Sequence, residues 1–266
     1  MFCGDVVGRP GRKVIEEWIP KLKQDYVLDF IVVNGENAAH GFGLTTKICE
    51  DFWNLGVDVI TTGNHCWDQK EIIPFIQTNP RLLRPVNFPV GTPGKGWGIF
   101  TSASGHKIAV GQAMGRLFME ALDDPFSAML GFINQCRLGD NVNAVILDFH
   151  AEASSEKTAM ANFLDGKISL LAGTHTHVPT ADARILPNGT AFISDVGMCG
   201  DYDSVIGMRK EAAIGKFLRK VPNERLEPAE GEGTLCAVIV EIEDKTGLAT
   251  KIKQLKLGGV IGEQAA

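Results

Sequence analysis

No C-x-x-C pair occurs among the six cysteines, at positions 3, 49, 66, 136, 199 and 236, which leaves neither a zinc ribbon nor a thioredoxin-like motif. Scattered thiols of this kind fit a reducing cytoplasm. Long apolar runs are missing too: Ala144-Val145-Ile146-Leu147 is among the longest, far short of the ~20 residues that cross a bilayer. The start carries no basic segment followed by an apolar one, so neither a membrane anchor nor secretion is expected. Nor is there a basic excess. The 26 Lys and Arg against 32 Asp and Glu give a net charge of -6, which argues against a stable nucleic-acid complex or an anionic-membrane partner and favours a small molecule. Repeats, low-complexity stretches and long linkers are absent, and the Pro/Gly-rich segment 85–98 reads as a surface loop. No G-x-x-x-x-G-K-[ST] occurs, and Gly41-Phe42-Gly43 lacks the third glycine of a dinucleotide fingerprint.

What is present is enough for a full core: 266 residues, 44% apolar and 22% charged, read as one domain over 1–266. Short β-branched apolar runs at 29–33, 57–60, 107–110, 144–147 and 168–171 read as buried strands. Between them Val14, Ile15, Trp18, Ile19 and Leu22 mark one helix face, which Pro20 is expected to kink, and Ile48, Phe52 and Leu55 mark another that Gly56 ends. Segments 125–138, 155–164 and 208–219 look helical. Strands are expected at 190–194, 235–242 and 251–257, the last two forming a hairpin through Lys245-Thr246-Gly247. The class is α/β.

Open α/β sheets bind ligands beyond the carboxyl ends of their strands, so the residues just past each run carry the information. Asp5 comes after Met1-Phe2-Cys3, Glu36-Asn37 after the run ending at Val33, Asn64-His65 after 57–60, His150 after 144–147, and His175 and His177 after 168–171. Four of the six histidines therefore lie at strand ends, a recurrence that favours a shared site over scattered core or surface positions. In Thr174-His175-Thr176-His177, extended i and i+2 side chains would point the same way and serve two neighbouring metal ions. Imidazoles mixed with Asp, Glu and Asn oxygens suit iron, manganese or zinc. Two ions about 3.5–4 Å apart can hold a bridging hydroxide and clamp a phosphate. Glu36 is the bridging candidate.

The blocks Gly4-Asp5-Val6-Val7-Gly8-Arg9-Pro10-Gly11, Asn34-Gly35-Glu36-Asn37-Ala38-Ala39, Gly63-Asn64-His65-Cys66-Trp67-Asp68, Asp148-Phe149-His150-Ala151-Glu152, 173–178 and Asp195-Val196-Gly197-Met198 resemble the calcineurin-like metallophosphoesterases. The resemblance is closest to a bacterial branch, the YmdB family of 2′,3′-cyclic nucleotide phosphodiesterases, and covers nearly the whole chain. It implies a four-layer αββα sandwich with a dinuclear metal site at strand carboxyl ends. It also implies that Asp5, Glu36, Asn37 and His177 hold one ion and Glu36, Asn64, His150 and His175 the other. On the same resemblance His65 is expected to stay off the metals and to donate a proton to the departing ribose oxygen, with no organic cofactor needed. The wider superfamily has Asp-x-His in its first block and a bridging Asp in its second. Val7 and Glu36 stand at those positions here, with Asn37 replacing the lost ligand. Only Met1-Phe2-Cys3 precede Gly4-Asp5 where the family has a longer first strand, which implies an altered first strand or an earlier start. A homo-oligomer is expected by family analogy.

Other readings remain: a phosphatase or phosphodiesterase of different specificity, a metal-dependent amidohydrolase, or a regulatory metal- or nucleotide-binding protein with little turnover. Against the amidohydrolase, its H-x-H belongs to the first strand, whereas this one comes after a late strand. Blander roles suit several residues. Asp68-x-x-Glu71 has capping-box spacing ahead of an apolar helix, Cys66 reads as an inert thiol, His40 as a solvent-facing loop residue and His106 as part of a turn. Asp201, Tyr202 and Asp203 are left outside the site.

Overall fold

A computed structural model describes residues 1–219 and 225–262; the one-domain reading over 1–266 also spans 220–224 and 263–266, which lie outside the described residues. The first part of the chain runs β1 (Phe2–Cys3), β2 (Asp5–Val6), α1 (Gly8–Asp25), β3 (Val32–Asn34), α2 (Thr46–Asn54), β4 (Val59–Thr61), α3 (Ile72–Thr78), β5 (Leu82–Leu83), β6 (Trp97–Thr101) and β7 (Lys107–Met114). The second adds α4 (Pro125–Gln135), β8 (Ala144–His150), α5 (Ser154–Phe163), β9 (Leu170–Thr174), β10 (Arg184–Ile185), β11 (Ala191–Ile193), β12 (Met198–Asp201), α6 (Lys210–Arg219), β13 (Gly233–Ile242) and β14 (Ala249–Leu257). One sheet has the order β2-β12-β13-β1-β3-β4-β5, with β14 on β13, and the other β10-β11-β9-β8-β7-β6.

Three apolar clusters sort these elements into four layers, because successive strand residues face opposite sides of a sheet. Ile15 and Ile19 of α1, Phe52 of α2 and Ile72 of α3 pack on one face of the first sheet, with Val33, Ile60 and Ala237. Each such fully buried side chain contributes about 1.5–3 kcal/mol. Met129 and Phe132 of α4 and Met160 of α5 cover the outer face of the second sheet at Val145, Leu147 and Leu171. Between the sheets, Phe2, Val32, Val59 and Val238 meet Val110, Ile146, Leu170, Ala172 and Ile193. The αββα sandwich expected from the sequence is the observed fold.

Parallel register aligns the strand ends. Asn34 pairs with Thr61 across β3 and β4, and His150 with Thr174 across β8 and β9, so the succeeding loops emerge at one edge of each sheet. The expected hairpin is β13 and β14, paired antiparallel. Pro20 lies within α1, which continues to Asp25. One expectation is corrected: the 85–98 segment is not loop throughout, because β6 begins at Trp97 and pairs antiparallel with β7. Asp5 follows β1 as expected and itself opens β2, paired in parallel with Met198 of β12.

Candidate metal centre

Ligand-type atoms from Glu36, His150 and His175 lie within 4.8 Å of one another, as do those of Asp5, Glu36 and His177. Glu36 is common to both groups. Asn64 Oδ1 stands 2.9 Å from His150 Nε2, and Asn37 Oδ1 stands 3.2 Å from His177 Nε2, so each amide oxygen joins one group. All seven residues singled out as ligands are thus brought together, drawn from both sheets. Asp5, Glu36, Asn37, His150 and His177 are buried, and His175 is partly so.

The hydrogen-bond partners determine which ring nitrogen faces inward. Thr174 Oγ1 donates its only proton to Asp148 Oδ1 at 2.6 Å, so toward His150 Nδ1, 2.9 Å away, it can only accept. His150 therefore carries its proton on Nδ1 and turns Nε2 toward Asn64, Glu36 and His175. His177 Nδ1 donates to the Ile206 carbonyl at 2.8 Å, which leaves Nε2 for the interior. Glu152 Oε2 lies 3.3 Å from His175 Nε2, and Nδ1 of that ring faces His150 Nε2 at 3.1 Å.

These contacts test whether a metal fits. Asn37 Nδ2 donates to the Gly41 carbonyl, so its Oδ1 confronts the His177 Nε2 lone pair, two acceptors 3.2 Å apart with no proton between them. A cation resolves that opposition. Two buried carboxylates, three imidazoles and two amide oxygens are a donor set suited to iron, manganese or zinc. Gly63 keeps the space open: a Cβ there would stand 2.2 Å from Glu36 Oε2 and 2.5 Å from His150 Nε2.

The charges are strongly coupled. Burial raises Asp5 well above the carboxylate range despite His150, and Glu36, Asp195 and Asp148 push the same way. Burial also opposes ionised Glu36, but His150, by charge and hydrogen bond, holds it down at about 2. For His150 burial disfavours the cation, yet Glu36, Asp5 and Asp148 outweigh it and hold the ring up at about 9. Burial and the neighbouring His150 push His175 down to about 3. Burial likewise lowers His177. A metal that takes His150 Nε2 must displace its proton. Near pH 7 we expect uptake to release at least one proton, from His150 and from the share still held by Asp5, with apparent affinity rising about tenfold per pH unit for each proton released. Calorimetry in buffers of different ionisation enthalpy checks this; uptake without proton release would exclude His150 as a ligand.

Asp68 overturns the capping expectation. Helix α3 begins at Ile72 with no side-chain cap, Glu71 Oε1 accepts from Thr46 N at 2.7 Å, and Asp68 Oδ2 lies 2.7 Å from His65 Nδ1. A turn rather than a helix joins His65 to Asp68, and the i,i+3 spacing was the available signal. His65 N donates to Glu36 Oε2 at 3.3 Å, and its ring meets Phe42 edge-on, with centroids 5.1 Å apart. The extended H-x-H is also corrected: β9 stops at Thr174, and His175 and His177 have φ of 95° and 65°. Both nevertheless reach the site, one in each group, at a backbone cost of about 1–3 kcal/mol per residue.

The supporting residues were less visible in the sequence. Asp148 Oδ2 accepts from Asn34 Nδ2, Thr61 Oγ1 and Gln112 Nε2. Tyr202 Oη bonds the His177 and Met198 carbonyls, which ties this residue to the site after all. Cys66 is buried, and burial pushes its thiol up to about 12, in keeping with an inert role. His40 is exposed, and His106 lies in the turn before β7.

Two sheets whose parallel ends present buried carboxylates, imidazoles and amide oxygens define an αββα sandwich of the metallophosphoesterase type. The sequence model described as YmdB-like protein matches residues 1–255. The 2′,3′-cyclic-nucleotide 2′-phosphodiesterase of Bacillus subtilis (strain 168) is 49% identical over 255 residues, 96% of this chain and 95% of its own. A hypothetical protein from Thermus thermophilus superposes with a TM-score of 0.90 at 37% identity, covering 97% of this chain and 98% of its own. A novel phosphatase of Mycoplasma pneumoniae also gives 0.90, at 35% identity over 97% of this chain and 92% of its own. The chain belongs to the YmdB-like family.

Proposed function

We propose that this protein hydrolyses 2′,3′-cyclic nucleotides at a centre of two divalent metal ions. Asp5, Glu36, Asn37 and His177 would hold one ion, and Glu36, Asn64, His150 and His175 the other, with iron favoured over manganese or zinc. The observation that carries this reading is Glu36, shared by two compact ligand groups, and the 49% identity to the Bacillus subtilis phosphodiesterase points to the substrate. When bound, the ions would polarise the phosphoryl oxygens and lower the pKa of an attacking water.

The remaining chemistry belongs to the chain. Asp5 and Glu36 balance the charge of the centre. Asp68 accepts from His65 Nδ1, which fixes the ring and leaves Nε2 to hand a proton to the departing ribose oxygen. The side chain of His65 is 28% exposed, so solvent can restore that proton. Asp68→Asn should lower kcat about tenfold with both ions retained, because the ring loses its anionic anchor. Unchanged kcat would remove Asp68 from the mechanism.

We further read the chain as one domain that works in the cytoplasm, forms a homo-oligomer and has no stable nucleic-acid or membrane partner. Among the described residues no helix is long and apolar enough to cross a membrane. Metal analysis of anaerobically purified protein, followed by turnover with a panel of cyclic nucleotides and phosphomonoesters, tests the proposal. Two ions per chain and preference for the cyclic diesters are expected. A single ion in a well-loaded sample would sink the dinuclear centre. Preference for monoesters would favour the phosphatase alternative, which the Mycoplasma pneumoniae relative raises.

A further inference from the structure

Lys157 of α5 is 1% exposed, and its Nζ lies 2.7 Å from Oδ2 of Asp195, itself 1% exposed. The same oxygen accepts from Thr176 N at 3.1 Å and from Thr176 Oγ1 at 2.7 Å, while Oδ1 accepts from Gly197 N at 2.9 Å. Thr176 stands between His175 and His177, both at positive φ. Such backbone persists only where its surroundings over-determine it.

A buried ion pair is poor glue, since well-packed apolar residues of equal volume often stabilise as much or more. What this pair supplies is direction. One carboxylate oxygen grips Thr176 by backbone and side chain together, and the ammonium balances the charge that makes the grip strong. Neither residue is among the proposed ligands. We propose that Lys157 and Asp195 are positioning residues that fix the strained turn, and through it set His175 and His177 on the two ions at once. This rests on the reading of both histidines as ligands.

Lys157→Met removes the ammonium at similar length, and Thr176→Val removes one donor to Asp195 while keeping the pair and the volume. Dissociation constants for both ions, from chelator competition, would be measured on wild type and on both variants, together with thermal unfolding and kcat at rising metal concentration. Lys157→Met should weaken both ions about 10–100-fold, the range for groups that orient metal ligands, and recover much of its kcat as metal is raised. Thr176→Val should move both constants the same way by a smaller factor, and it decides alone if Lys157→Met does not fold. Wild-type affinities in a folded variant would overturn the proposal, even with a lowered unfolding temperature. Wild type that fails to bind two ions would overturn the ligand reading beneath it.

Discussion

Turnover of a 2′,3′-cyclic nucleotide by His65→Ala is expected to fall about 10²–10⁴-fold while two ions remain bound, the usual contribution of a positioned proton donor. The geometry separates this residue from the ligands. Its Nδ1 is taken by Asp68, and it stands outside both ligand groups. The deficit should shrink on a diester with a nitrophenolate leaving group, which departs as an anion without a donated proton. Wild type and variant are to be compared on both substrates, with metal content measured in each. Equal losses would make His65 a phosphate-positioning group, and loss of an ion would make it a ligand.

Glu36→Gln should be more damaging, because the shared carboxylate serves both groups. Each ion is expected to bind at least about 100-fold more weakly, with turnover falling alongside occupancy. A second effect separates loss of charge from loss of shape. Glu36 is the foremost group holding His150 up, so proton release on metal uptake near neutral pH should shrink in the variant. Full two-ion loading with normal proton release would remove Glu36 from the bridging position.

The layers were legible because β3, β4, β8 and β9 are buried on both faces and read as continuous apolar runs. Strand β6 was hidden by its own environment: an edge strand whose residues are only partly buried, entered through a Gly-rich stretch, shows no run to detect. The strand ends pointed to Asp5, Glu36, Asn37, Asn64, His65, His150, His175 and His177 together, because topology alone gathers such positions, and the family resemblance set the seven candidate ligands apart from His65. The residues that orient them were harder to see. The Ile206 carbonyl has no side-chain signature, and Asp148, inside β8, looks like a misplaced charge until Asn34, Thr61, Gln112 and Thr174 converge on it. Asp68 misleads because a carboxylate three residues before Glu71 satisfies a local capping rule as well as it satisfies an imidazole three residues earlier. Spacing alone does not choose between them.

Asp5, Glu36, Asn37 and Asn64 come from one sheet, and His150, His175 and His177 from the edge of the other. Ions held as proposed would therefore act as rivets through the middle two layers. An ion that binds only the assembled arrangement adds about 2.7 kcal/mol of folding stability at a concentration 100 times its dissociation constant. The catalytic centre would then double as a structural clasp, and metal starvation would both silence the enzyme and unfasten the seam between its sheets.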